Sequence, residues 1–376
     1  MVDEKYIQKA LELARIAEGL TTPNPMVGAV LVKNGKIIGE GYHPKCGEKH
    51  AEVRAIENSS ESVAGATLYS NLEPCCHKIP DKKTPPCTER IIREKIKRVV
   101  ISTIDPNPHV DGKGIEMLRK AGIDVTTGIL AKEAVLLNEI YFKYIQSKIP
   151  FIHIKIAQTL DGKIATHKFD SRWITDETAR QEVHRMRHKY SSVLVGLNTV
   201  IMDNPKLTAR LDLPGIPYRI ILDEKLKIPL NSNVLNDEFT NRTILFTTPK
   251  HNPEVKEKLA KKGIQINIVG GNGTGIVCLN EVVSNLGKIG VTSILVEGGS
   301  RVFTHFIKEA LFDKISIFIA PKLIGKGIDA IGDLGAEKIS DALNLEKISF
   351  KQINDQLLVE GYRDISSTFG KLTEVI

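Results

Sequence analysis

Nowhere in its 376 residues does the chain carry an apolar run close to the ~18–20 residues of a membrane-spanning helix. The opening Met1-Val2-Asp3-Glu4-Lys5 lacks the apolar stretch of a secretion signal. Together these absences lead to an expected cytoplasmic location with no membrane partner. Cysteine is scarce: the five residues are too few and too clustered for a secreted disulfide scaffold. No repeat, low-complexity segment or charged tail is visible. The net charge of +7 is spread over both halves. That is a poor signal for nucleic acid, so no nucleic-acid partner is expected, but it suits small anionic substrates. A Rossmann glycine turn is also missing. Gly270-Gly271-Asn272-Gly273-Thr274-Gly275 has the wrong spacing and leads into a strand-like run, which reads as a flexible loop.

What remains is ordinary globular composition, 41% hydrophobic and 26% charged, which excludes disordered and fibrous classes. The length suggests two domains. Apolar positions at Ile7, Ala10, Leu11, Ala14 and Ala17 have helical spacing, with Gly19 as a stop. Val27–Lys33 and Lys36–Gly41 read as strands joined by the hairpin signal Asn34-Gly35. Strands at Thr67–Leu72 and Arg98–Thr103 alternate with helices from His50, Cys87, Ile115 and Ala131. Near Ser147 the pattern restarts. Phe151–Ala157 reads as a strand and Thr175–Lys189 as a helix capped by Thr175. Further strands are expected at Ser192–Gly196, Arg219–Leu222, Thr243–Phe246, Ser293–Val296 and Lys314–Ala320. Alternation of this kind predicts layered α/β domains, one over 1–147 and one over 148–376.

Chemistry concentrates first at His50-Ala51-Glu52, Pro74-Cys75 and Cys87. One imidazole and two thiolates form a three-ligand zinc site with a fourth position open to water. Cys76 is an alternative to Cys75 as the ligand. Iron or cobalt could take the same donors, but the soft set points to zinc, one ion per chain. Glu52, two residues from the His, can face the metal without binding it and shuttle a proton. His-x-Glu followed by Pro-Cys is the signature of zinc-dependent base deaminases. A zinc that only staples the fold, and a deaminase of nucleic-acid bases, are the rival readings.

The motifs extend further. Asn24-Pro25 precedes Val27-Gly28-Ala29-Val30. Leu72-Glu73-Pro74-Cys75, Thr84-Pro85-Pro86-Cys87 and Asp105-Pro106-Asn107-Pro108 follow. With these the chain resembles the bifunctional deaminase/reductase of riboflavin biosynthesis over essentially its whole length. The resemblance implies a cytidine-deaminase-like α/β/α layered domain followed by a dihydrofolate-reductase-like α/β domain. It implies a phosphoribosylated pyrimidine substrate, and a homo-oligomer, dimer or tetramer. It places Asn24, His43, His77, Asp105 and Asn107 at the deaminase substrate, with Lys83 (or Lys82) as the basic residue of the cysteine loop. The chain departs from the family in that loop: eleven residues separate Cys75 from Cys87, a longer stretch than usual, and the family's Gly is missing.

In the second half, Glu297-Gly298-Gly299-Ser300-Arg301 runs from a strand through glycines into a helix, where backbone amides can hold phosphate. Lys155, Asp161-Gly162-Lys163, Trp173-Ile174-Thr175 and Asp203-Asn204-Pro205 carry the resemblance to the reductase domain. That resemblance puts NADPH against Ala157, Trp173, Thr199, Asp203 and Gly299, Ser300, Arg301, Val302, Phe303, Thr304 and His305. It puts the second substrate against Ser171, Arg187, Leu207, Arg210 and Glu297. Lys155 would stabilise charge or position ribose hydroxyls. Asp203 and Glu297 are both acid/base candidates, and Trp173 is either a core anchor or a cofactor contact. Lys227 stands where the family often has Ser near the cofactor, an added cation for the 2′-phosphate.

Overall fold

The computed structural model describes residues 2–77, 84–211, 213, 215–271 and 277–376. Among them the chain forms two compact units, Met1–Lys148 with Phe369–Ile376, and Ile149–Thr368. The last residues thus gather with the first unit rather than with the rest of 148–376. Phe369 is fully buried, and Gly370 lies against Gln146.

The first unit holds a sheet in the order β2-β1-β3-β4-β5. Its strands are β1 (Gly28–Lys33), β2 (Lys36–Tyr42), β3 (Thr67–Ser70), β4 (Arg98–Ile101) and β5 (Asp124–Thr127). The hairpin β1–β2 turns at Asn34-Gly35, both at positive φ as that turn requires. Alternation on β1 feeds both faces. Ala29 and Leu31 join one core with Ala51, Ala55 and Ile91, and Val30 and Val32 join another with Ile7, Ala10 and Leu11. Helices cover both faces: α1 (Val2–Arg15), α2 (Ala51–Glu57), α3 (Cys87–Arg93), α4 (Lys113–Lys120), α5 (Ala131–Leu137) and α6 (Glu139–Ser147). The single helix expected from Ala131 divides at Asn138, whose side chain is drawn away to the backbone of Met26. Gly41 matters for the site. A Cβ there would stand 2.5 Å from the Ala51 carbonyl, so glycine lets the first turn of α2 lie directly on β2.

The second unit holds β6 (Phe151–Thr159), β7 (Lys163–Thr166), α7 (Glu177–Lys189), β8 (Ser192–Gly196), α8 (Leu197–Asp203), β9 (Tyr218–Leu222), β10 (Thr243–Thr247), α9 (Pro253–Lys261), β11 (Gln265–Ile268), α10 (Leu279–Lys288), β12 (Ser293–Gly298), α11 (Ser300–Lys308), β13 (Lys314–Ala320), β14 (Gly327–Asp329), β15 (Glu346–Ile353) and β16 (Gln356–Tyr362). The main sheet runs β11-β10-β9-β8-β12-β6-β13-β16-β15. It is parallel from β11 to β13, and β16 and β15 close it antiparallel. Ile152, Ile154 and Ile156 of β6 enter the large core, which leaves His153, Lys155 and Ala157 for the opposite face. Asp176, not Thr175, caps α7: its carboxylate accepts the Ala179 amide. β12 returns between β6 and β8, so their C-terminal ends meet in one crevice, where open α/β sheets bind ligands. Of the glycine-rich loop, 272–276 lies outside the described residues.

Candidate active sites in the two units

In the first unit three elements deliver three donors. His50 precedes α2 in extended backbone, Cys75 follows β3, and Cys87 is the first residue of α3. His50 Nδ1 is 3.4 Å from Cys75 Sγ and 3.3 Å from Cys87 Sγ. All three donor atoms lie within 4.8 Å of one another. Cys76 is not among them, since its thiol points to the His109 carbonyl at 3.8 Å. Glu52, on the first turn of α2, is 3% exposed, and burial pushes its carboxyl above the ordinary range. The Cys87 thiol is pushed up by its hydrogen bond with Cys75, then by burial and by the charge of Glu52. Two buried thiols and a carboxyl are a poor place for negative charge unless a cation shares it. An imidazole with two thiolates is a donor set zinc takes readily.

Around this trio the structure assembles most of the expected substrate residues. His43 is buried, donates from Nδ1 to the Lys49 carbonyl and accepts from Asn24 Nδ2 at 3.0 Å. Its ring stands edge-on to His50, centroids 5.2 Å apart. His77 packs against His109. Asp105 is held at about 7 because burial raises it more than the Asn107 amide and Tyr141 hydroxyl lower it. Asn107 turns its own side chain back to the His109 amide. Lys83 lies outside the described residues. Tyr141 carries no signal in the sequence, and Glu73 stands out there only as part of Leu72-Glu73-Pro74-Cys75. Glu73 is buried and accepts the amides of Asp105, Gly112 and Ile115, which ties the loop before α4 to the strand end that carries Cys75.

In the second unit the crevice holds a buried ionic cluster. Arg187 of α7 donates Nε and Nη2 to Glu297 at 2.6 and 2.7 Å, and Lys155 Nζ is 3.5 Å from Glu297. Burial raises the Glu297 carboxyl, but Arg187 and Lys155 outweigh it and hold it at about 2. Burial lowers Lys155, opposed by Glu297. Asp203, at the end of α8, is raised by burial, opposed by Arg172 and by a hydrogen bond from Ser171. Thr199 sits against the glycines: a Cβ on Gly298 would come within 2.8 Å of its hydroxyl.

The Gly299–His305 stretch divides. Gly299 has φ +87 and opens α11, whose first-turn amides suit phosphate. Val302 and Phe303 spend their side chains in the core. Thr304 bonds the Ser300 carbonyl and the Gly332 amide, and His305 bonds the Arg301 carbonyl. Leu207 is also buried, at 2%. Ala157 packs partly buried beside Phe318. Trp173 is no core anchor: it is 61% exposed, with the Arg180 guanidinium 4.3 Å from its ring centroid and Lys322 on its carbonyl. Arg210 lines a cavity of about 390 Å³ with Lys206, Thr208, Asp237, Glu238 and Phe239, so both signs of charge face it. A second cleft, about 530 Å³, is lined by Lys225, Lys227, Lys250 and His251. No helix among the described residues is long and apolar enough to cross a membrane.

Comparison with known proteins agrees in both units. Residues 1–103 match the cytidine and deoxycytidylate deaminase zinc-binding region, and residues 150–359 match the RibD C-terminal domain. The riboflavin biosynthesis protein RibD of Aquifex aeolicus is 46% identical over 95% of this chain and 98% of its own. The structure of Acinetobacter baumannii RibD superposes with a TM-score of 0.85 at 32% identity, covering 96% of this chain and 98% of that one. A Thermotoga maritima structure, described as a diaminohydroxyphosphoribosylaminopyrimidine deaminase/5-amino-6-(5-phosphoribosylamino)uracil reductase, gives 0.84 at 39% identity with the same coverage. A zinc deaminase and a reductase thus share one polypeptide here, and the chain belongs to the RibD family of riboflavin biosynthesis proteins.

Proposed function

We propose that the first unit deaminates 2,5-diamino-6-(5-phosphoribosylamino)pyrimidin-4-one, and that the second reduces the ribosyl group of the resulting 5-amino-6-(5-phosphoribosylamino)uracil to ribityl. The observation that carries this reading is the convergence of His50, Cys75 and Cys87 beside the buried Glu52. His50, Cys75 and Cys87 hold zinc, which when bound supplies a nucleophile from water at neutral pH. The raised Glu52 carboxyl takes a proton from water and returns it to the departing amine. Asn24, His43, His77, Asp105, Asn107 and Lys83 contact the pyrimidine or its phosphoribosyl group. Asp105, poised near neutrality, can either donate to or accept from a ring edge.

In the second unit NADPH, when bound, supplies hydride to the sugar C1′. Gly299, Ser300 and Arg301 receive its phosphates, with Thr199, Ala157 and Trp173 beside it. Val302 and Phe303 contribute backbone rather than side chain, because the core holds their side chains. Lys155 and Ser171 position the ribose. Glu297, ionised and clamped by Arg187, is a poor proton donor, so we assign the acid role to Asp203. Arg210 meets the sugar phosphate. The enzyme works in the cytoplasm as a homo-oligomer.

The test is ammonia release from the diaminopyrimidinone without NADPH, followed by NADPH addition to the same tube. Ammonia first and NADPH oxidation second is the expected result. Absence of ammonia, with oxidation of NADPH when the uracil derivative is supplied, would overturn the deaminase half. It would implicate the lengthened stretch between Cys75 and Cys87.

A further inference from the structure

His50 Nδ1 faces both thiols, at 3.4 and 3.3 Å, while the far nitrogen of the same ring, Nε2, is 3.2 Å from Thr84 Oγ1. A neutral imidazole carries one N–H and one lone pair. If Nδ1 offers its lone pair to a metal, the proton must sit on Nε2, where a hydroxyl oxygen is waiting to accept it. His50 stands at the N-cap of α2, yet its side chain makes no cap hydrogen bond to that helix. From across the site its ring meets Thr84 on one nitrogen and the edge-on ring of His43.

We propose that Thr84 is a positioning residue of the zinc site: its hydroxyl accepts the Nε2–H of His50 and holds Nδ1 toward Cys75 and Cys87. This rests on reading the trio as a zinc site. Thr84 belongs to Thr84-Pro85-Pro86-Cys87, so one short run supplies both a ligand and the group that orients another ligand. Two prolines fix φ between them, which makes the spacer stiff. Cys87 is buried as the first residue of α3, so the run is anchored at that end. The arrangement gives the Thr-Pro-Pro-Cys motif a physical reason for its threonine. Partners of this kind, which fix the tautomer and ring orientation of a metal-bound imidazole, typically cost 10–100-fold in metal affinity when removed.

The experiment measures zinc affinity of the full chain by competition with a colorimetric chelator, for the wild type, Thr84→Val and Thr84→Ser. Val keeps the shape and removes the acceptor, whereas Ser keeps the acceptor and removes the methyl. The expected result is about 10–100-fold weaker zinc binding for Val and near-wild-type binding for Ser. NADPH oxidation with the deaminated substrate, read on the same samples, reports whether the second unit is intact. Zinc affinity unchanged in Thr84→Val overturns the proposal. So does a Ser variant as weak as Val, which would show that the methyl packing matters and the hydroxyl does not. Should Thr84→Val not fold, Thr84→Ala carries the same prediction. A wild-type chain that binds no zinc at all would instead overturn the metal reading of the trio.

Discussion

Asp105 and Glu297 are both buried carboxyls, one in each unit, and their surroundings push them in opposite directions. Among the described residues Asp105 receives neutral donors, the Asn107 amide and the Tyr141 hydroxyl, and burial lifts it to about 7. Glu297 meets two cationic side chains, Arg187 and Lys155, and is held at about 2 against the same burial. In the first unit burial thus lifts the Glu52 and Asp105 carboxyls, and the hydrogen-bond donors that oppose it at Asp105 are neutral. The second builds its cations from the chain itself. Burial alone does not set the protonation state; the charge placed beside the carboxyl does.

This contrast can be broken by neutralising the acids. Glu52→Gln removes the proton carrier of the first unit. Ammonia release should fall about 10²–10⁴-fold, while bound zinc and NADPH oxidation stay at wild-type levels. Unchanged ammonia release would eliminate the proton-transfer role. Glu297→Gln leaves Arg187 and Lys155 uncompensated in the crevice, and breaking a buried pair in this way costs about 3–5 kcal/mol. The unfolding transition of the second unit should drop in calorimetry and NADPH oxidation should vanish, with ammonia release retained. A transition that does not move would show the cluster to be solvated.

The pH dependence sharpens the same comparison. The Asp105 pKa is raised in the folded state, so its contribution favours folding at low pH and is lost as pH rises from about 4 to about 7. The Glu297 pKa is depressed, so its contribution is complete above the ordinary carboxyl range and is lost as pH falls toward about 2. Calorimetry of the wild type, Asp105→Asn and Glu297→Gln from pH 3 to 8, a window of about five units, should show the two variants flattening opposite ends of the stability profile. Two variants with parallel profiles would contradict the assignment. The smallest effect is expected at the basic cleft. Lys227 lines it from an exposed position beside Lys225 and Lys250. Exposed ion pairs contribute ~0.2–1 kcal/mol, so Lys227→Ser should lower the preference for NADPH over NADH about fivefold or less. An unchanged ratio would remove Lys227 from cofactor selection.

Much of this molecule could be read before folding it. The apolar run of β1 and the Asn34-Gly35 turn are local signals, and the hairpin formed where they lie. His50, Cys75 and Cys87 were legible because zinc restricts donor type so strongly that three residues on three elements still announce one site. Other features failed locally for identifiable reasons. The helix from Ala131 broke at Asn138 because a distant backbone, at Met26, competes for that side chain. Thr175 yielded the cap of α7 to Asp176, an equally good capping type one residue on. Val302 and Phe303 follow the glycines of a phosphate-type turn, yet the helical period turns their side chains into the core.

The sequence by itself determined the two-part plan, the metal donors and the acid beside them, because each rests on residue type and short-range spacing. Only the tertiary structure turned Cys76 away from the trio, decided between core and surface for Trp173, paired Arg187 with Glu297, and set Thr84 against the far nitrogen of His50. It also gathered Phe369–Ile376 with the first unit. These outcomes depend on which side chains arrive from distant strands and helices, and on how deeply they are buried once there. Both are properties of packing, which spacing along the chain does not encode.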